Sequence, residues 1–303
     1  MPTGISPVLL TPFAADGSLD EAGFVRVVDH VLSLGVGSVM FPGFASEVLT
    51  LSDEERDVLV RLLLERTAAR SDVTPIVSIA EHATYHAVRR ATALAEAGVG
   101  TFNVLPPHQL GPSAPAVVAH VEAVLAAVAP AAVILQYAPL QTGTTLPVAE
   151  ITALAARHQN LAAVKVESQP PGRTIAALGE GTPPLPAFVG YGGVQMPDAL
   201  RRGAIGVQPG CSFTELYLAV WRLWHDGHRE DASRLHTRML PYLSYWMQDV
   251  QLIVAAEKLI AVRRGLVDDE HCRAPARTLD RAERVMVDDF CSEFSAMLPV
   301  VDR

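Results

Sequence analysis

Residues 161–168 read LAAVKVES: an apolar run, then Lys165, then one more valine before Glu167. The run is continuous rather than alternating. A strand with one wet face alternates apolar and polar residues, whereas a parallel strand covered on both faces does not. Seven more runs of this kind lie at 5–10, 38–41, 75–79, 101–105, 132–137, 187–191 and 204–208. Between them fall helical patterns at 20–34, 53–69, 84–97, 115–128, 147–157 and 196–202. Starts are marked by Asp20, by a capping box at Ser52 and Glu55, and by Pro115 and Pro147; Gly35, Gly98 and Gly203 mark stops.

Eight strand–helix units predict an α/β fold, a (β/α)8 TIM barrel over residues 1–225. The alternative is a doubly wound open sheet, which usually carries a GxGxxG turn after its first strand; none is found there. From Thr214 onward the pattern is helical, at 214–226, 229–247, 250–264 and 276–297. The barrel needs only the first of these. The rest are expected to form a C-terminal helical bundle at 226–303.

The 303 residues are 50% hydrophobic with a mean hydropathy of +0.24, which suits a sizeable core. A net charge of −9 argues against a nucleic-acid partner. No apolar stretch reaches the roughly 18 residues that a membrane helix needs, and no basic-then-apolar leader is seen. Cys211, Cys272 and Cys291 show no CxxC spacing, so neither a disulfide framework nor a zinc knuckle is expected. The expectation is a cytoplasmic protein with no cofactor and no membrane partner.

The chain carries 22 arginines and two lysines, Lys165 and Lys258. Lys165 falls near the C-terminal end of the sixth strand, the end where barrels of this type keep their active sites. Neither the packed interior nor the helix-facing side of such a strand is water. A lysine there must be paired or lose its proton readily, and a neutral lysine attacks carbonyls to form a Schiff base. The plain alternative is a strand-end lysine snorkelling to solvent. Tyr137 ends the fifth strand, next to the sixth, where a phenol can shuttle protons or simply pack.

Several motifs together resemble the dihydrodipicolinate synthase / N-acetylneuraminate lyase family. They are SPVLLTPFAADGSLD at 6–20, Gly43 to Glu47, Tyr137-Ala-Pro with Thr142-Gly143, Val164-Lys165-Val166 and RRGAIGV. The resemblance implies a class I aldolase-like lyase. Lys165 takes the place of the Schiff-base lysine and Tyr137 that of the proton relay. Gly43, Phe44, Ala45 and Ser46 take the place of the loop that holds the substrate carboxylate, and Gly190 that of a glycine approaching the 2-oxo acid. Gln141 and Gln208 join the substrate-binding set. The resemblance also implies a homotetramer or homodimer.

The family's loop threonines are absent, the loop reading GFASE, so the usual hydroxyl partner of the tyrosine is missing. Two more departures bear on the reaction. The arginine expected after the tyrosine gives way to YAPLQTG, with Gln141 near its place, and the synthases' second tyrosine would fall near Pro107-His108, neither of them tyrosine. These two point away from condensation with aspartate semialdehyde. The short loop, LSDEER and VKVE are closer to the 2-keto-3-deoxy sugar acid dehydratases and aldolases. The expected function is a Schiff-base lyase, aldolase or dehydratase, on pyruvate or a 2-oxo-3-deoxy sugar acid. The alternatives are a condensing enzyme or a non-catalytic 2-oxo acid-binding homologue.

Other features have plainer readings. His82 and His86 form an H-x3-H pair, expected to be surface histidines on a helix without a third metal ligand. His82 and His108 are candidates for the barrel mouth. Cys211 reads as a packed small residue. Glu167 reads either as a rim carboxylate or as a group that orders water or a sugar hydroxyl. Lys258 reads as a solvated helix lysine.

Overall fold

A computed structural model describes residues 1–301. Its strands are β1 (Gly4–Ile5), β2 (Ser38–Phe41), β3 (Thr74–Ile79), β4 (Thr101–Val104), β5 (Ala132–Tyr137), β6 (Leu161–Val166), β7 (Ala187–Val189) and β8 (Gly206–Val207). They form one sheet in the order β1-β8-β7-β6-β5-β4-β3-β2, a (β/α)8 barrel. The chain divides into two compact units, Met1–Thr3 with Pro75–Gln208, and Gly4–Thr74 with Pro209–Arg303.

In the first unit β3 to β8 pair in parallel. Their residues are almost all buried, as continuous apolar runs require. In the second unit Val8 bridges both Met40 of β2 and Gly210, and its N–H donates to Pro209 at 2.8 Å. The expected strand at 5–10 is thus two residues of strand followed by a single-residue bridge.

The helices start where their caps say. Asp20 accepts from the Gly23 N–H ahead of helix Glu21–Ser33, and Ser52 with Glu55 closes the expected capping box on Asp53–Thr67. The last helix is shorter than expected, Arg281–Glu293, because Asp280 and Glu283 form a capping box there. Helix Pro171–Gly179 was not expected; its prolines serve at the first turn, where no N–H is needed. Helices Arg229–Trp246, Val250–Arg263 and Arg281–Glu293 follow the barrel as its helical extension. Among the described residues no helix is long and apolar enough to cross a membrane.

Candidate active site

Lys165 is 4% exposed and belongs to the first unit. Its strand neighbours are Gln136 on β5 and Phe188 on β7. Directly paired residues of parallel strands point the same way, so Gln136, Lys165 and Phe188 share a face. Ser78 pairs with Asn103 on that same face, since Asn103 pairs with Ile134, two before Gln136. Glu167, two residues beyond Lys165, is buried with its carboxylate 3.7 Å from the lysine Nζ.

These side chains form one file of hydrogen bonds. Asn103 Nδ2 donates to Ser78 Oγ at 3.2 Å and to Gln136 Oε1 at 2.9 Å. Gln136 Nε2 donates to Glu167 Oε2 at 2.7 Å. The other carboxylate oxygen accepts from the Tyr191 N–H at 3.1 Å. Tyr191 holds a left-handed φ of 52°, an unusual conformation for an aromatic residue, and one that commonly marks a working site. Glu167 is therefore a buried carboxylate fixed from three sides, not a rim residue.

Gly190 is required by this carboxylate. A Cβ at Gly190 would lie 2.5 Å from Glu167 Oε1, far inside contact distance. Gln208 is 2% exposed, and neither polar atom of its amide has a hydrogen-bond partner among the described residues. Alternation from Gly206, which pairs with Phe188, puts Gln208 on the face of Lys165. A buried unpaired amide marks a place for a polar ligand or water. Gln141, half-buried on the short helix Pro139–Thr142, likewise has a side-chain oxygen without a partner among the described residues.

Tyr137 is buried one residue beyond Gln136, and its register partner is Val166 rather than Lys165. Burial pushes its phenol above the ordinary tyrosine range, opposed by a hydrogen bond with the backbone of Leu146. The direct side neighbour of Lys165 on β5 is thus Gln136, a pairing that the sequence of β5 alone does not signal.

His82 lies before the first turn of helix Thr84–Glu96, so it does not share a helix face with His86. Its Nδ1 accepts from the N–H of His108 at 3.2 Å, and the two rings meet edge to face at 4.4 Å. Burial, and then the neighbouring His108, hold His82 below the ordinary histidine range. Among the described residues no group of three or more His, Cys, Asp or Glu is placed to hold a metal.

In the second unit, residues 44–46 form a turn of 3-10 helix after Gly43. A Cβ on Gly43 would lie 2.7 Å from Val8 Cγ1. Ser46 Oγ accepts from the Gly43 N–H at 2.9 Å and donates to Leu9 O at 2.5 Å, so its hydroxyl proton is spent inside the loop. Glu47 ends the turn in the left-handed region, φ 54°, and its carboxylate pairs with Lys258. The expectation of a solvated Lys258 is corrected here. It is 1% exposed, donates to His271 O at 2.6 Å and sits 4.3 Å from the centroid of the Phe13 ring. Helix Val250–Arg263 is buried on nearly every side from Leu252 to Ala261, and the lysine is kept there by its ion pair. Cys211 is buried as expected, accepting from the Leu10 N–H at 3.3 Å, and burial pushes its thiol far up.

The sequence profile of the Dihydrodipicolinate synthetase family matches residues 1–293. The chain belongs to that family. Among its relatives is the L-2-keto-3-deoxyarabonate dehydratase of Azospirillum brasilense, 28% identical over 280 residues, covering 90% of this chain and 88% of the relative. A 4-hydroxy-tetrahydrodipicolinate synthase of Stenotrophomonas maltophilia strain K279a is 32% identical over 206 residues, covering 68% of this chain and 67% of the relative. A prophage protein of Escherichia coli K12 from the dihydrodipicolinic acid synthase family, solved in complex with pyruvate, shares the fold. Its TM-score is 0.87 at 23% identity, over 97% of this chain and 98% of that one. The expected class, a lyase of the class I aldolase type, is the class of this family.

Proposed function

We propose that this family member is a Schiff-base hydro-lyase acting on a 2-oxo-3-deoxy sugar acid. In this reading Lys165 is the nucleophile and Glu167 carries the proton. The observation that supports it best is the buried Lys165–Glu167 pair at 3.7 Å. A lysine amine attacks the C-2 carbonyl and loses water to give an imine, and the protonated imine draws electrons from C-3. C-3 is two bonds from the imine nitrogen, so a carboxylate beside Nζ addresses the C-3 hydrogens. Glu167 takes one of them, and the electron pair moves toward the imine. The pair then returns to expel the C-4 hydroxyl, which leaves as water with the proton from Glu167. Hydrolysis of the imine frees Lys165.

Aldol cleavage would instead need a base at the C-4 hydroxyl. Glu167, placed for C-3, favours dehydration, and so does the relationship to the Azospirillum brasilense dehydratase. Tyr137 is assigned the relay of protons during imine formation. Gln208 and Gln141 are assigned substrate hydroxyls, on the strength of their unpaired amide atoms. Gly43, Phe44, Ala45 and Ser46 keep the carboxylate-holding assignment through their backbone, because the Ser46 hydroxyl is engaged. Gly190 keeps its assignment as the glycine that approaches the 2-oxo acid, and its missing side chain also leaves room for Glu167. A homotetramer or homodimer in the cytoplasm completes the reading; light scattering reads the assembly.

Two measurements test it. Pyruvate with borohydride should leave a reduced adduct on Lys165, located by peptide mass. A panel of 2-oxo-3-deoxy sugar acids should then lose water rather than release pyruvate. No adduct with any 2-oxo acid would overturn the reading. An adduct without turnover would make the chain a binding homologue, and released pyruvate would make it an aldolase.

A further inference from the structure

The file Ser78–Asn103–Gln136–Glu167 is not needed to hold a lysine in a barrel, since Glu167 alone pairs with Lys165. It crosses four strands and places two carboxamides in the interior, all buried. Buried polar files are costly unless satisfied, so their atoms can be accounted for one by one.

The partners fix each amide. An ionised carboxylate only accepts, so Gln136 must turn Nε2 to Glu167 and leave Oε1 facing Asn103. Asn103 must then present Nδ2, one hydrogen going to Gln136 and one to Ser78. Asn103 Oδ1 is left buried without a partner among the described residues. The Asn103 bond to Gln136 and the Gln136 bond to Glu167 both run toward the carboxylate, while the second Asn103 hydrogen runs back to Ser78.

A second setting has the same number of bonds. When Glu167 is protonated it becomes a donor, and Gln136 can accept with Oε1. Its Nε2 then faces Asn103, which turns over to accept with Oδ1. The Ser78 hydroxyl, able to give or take, donates to that same oxygen. One Asn103 atom again lacks a partner, now Nδ2 in place of Oδ1. The two settings share one set of positions and differ by two amide rotations, the turn of the Ser78 hydroxyl and the proton on Glu167. The charged group facing Glu167 is Lys165 on its own strand; β5 presents the Gln136 amide, and the turn after β7 presents the Tyr191 N–H.

We propose that Gln136 and Asn103 are positioning residues that hold Glu167 against Lys165 and turn over their amides as Glu167 takes up and returns the C-3 proton. No other reactant is required: the proton moves from substrate carbon to carboxylate and on to the departing hydroxyl. This inference rests on the Schiff-base reading above.

Pyruvate is the probe, because its methyl group is C-3. In deuterium oxide the full-length protein should exchange the methyl protons of pyruvate, read by proton NMR, while borohydride trapping counts the imine. Gln136→Met keeps the chain length and removes the amide. It should slow exchange at least tenfold while the trapped adduct stays within twofold of wild type. Asn103→Leu, which leaves the Gln136 contact to Glu167 in place, should show the same split with a smaller drop. It also carries the test should Gln136→Met not fold. Exchange and adduct falling together, or exchange unchanged, would overturn the proposal and leave the file a purely structural element. A wild-type protein that traps no pyruvate at all would instead overturn the Schiff-base reading, and the relay with it.

Discussion

Replacing Lys258 by methionine should destabilise the protein sharply, although the residue lies in a helix that by sequence looks ordinary. Methionine fills nearly the same space, so little cavity is left. What is lost is the partner of Glu47, whose side chain is 8% exposed, together with the bond to His271 O and the contact with Phe13. Removing one member of a buried ion pair costs about 3–5 kcal/mol, because the other charge stays buried and unpaired. Unfolding entropy near 2.1 cal/mol/K per residue gives about 0.64 kcal/mol/K for 303 residues, so Tm should fall by about 5–8 °C. Glu47→Gln in the same chain keeps an acceptor for the Arg273 N–H, 3.1 Å away, and removes the stranded charge. The double variant should therefore recover at least half of the loss, giving a coupling energy within the range of contacting residues. Calorimetry on the four proteins of the cycle provides the numbers. A loss below about 1 kcal/mol in Lys258→Met would refute the reasoning, since that is the scale of an exposed pair.

Three further outcomes follow from the site. Glu167→Gln should slow pyruvate methyl exchange by about 10²–10⁴-fold, the usual worth of a positioned base, with trapping by borohydride retained; equal losses in both would deny the carboxylate its role. Gly190→Ala should cost about 1–3 kcal/mol through overpacking against Glu167 and should abolish turnover, read by denaturation and by assay. Burial, then a neighbouring imidazole, holds His82 and His120 below the ordinary histidine range, so the folded state binds their protons less readily than the unfolded state does. Stability should then fall as pH drops below about 6.5, where unfolded histidines gain protons, and His120→Gln should flatten that slope in urea titrations at several pH values.

The barrel was legible because its strands are covered on both faces. The runs at 38–41, 132–137 and 161–166 coincide with β2, β5 and β6. Helix Pro171–Gly179 escaped because two adjacent prolines read as loop, although the first turn of a helix accepts them. Lys165 stood out by its charge in an apolar strand. Gln136 did not, because a glutamine between Leu135 and Tyr137 gains meaning only when β6 is laid beside it in register. Lys258 was misread for a similar reason: its partner Glu47 lies more than 200 positions earlier in the chain, and helical periodicity carries no sign of it.

The burial of both lysines has a consequence for chemical labelling. A reagent that acylates amines meets no lysine on the surface of the folded protein, since Lys165 and Lys258 are 4% and 1% exposed. Lys258, held in its ion pair, becomes reactive only when its surroundings open, and opening free energies differ between parts of one protein. Lys165 lies in one compact unit and Lys258 in the other. The acylation rate of the Lys258 peptide therefore times the opening of its own unit, while that of the Lys165 peptide reports how freely an amine reagent enters the site.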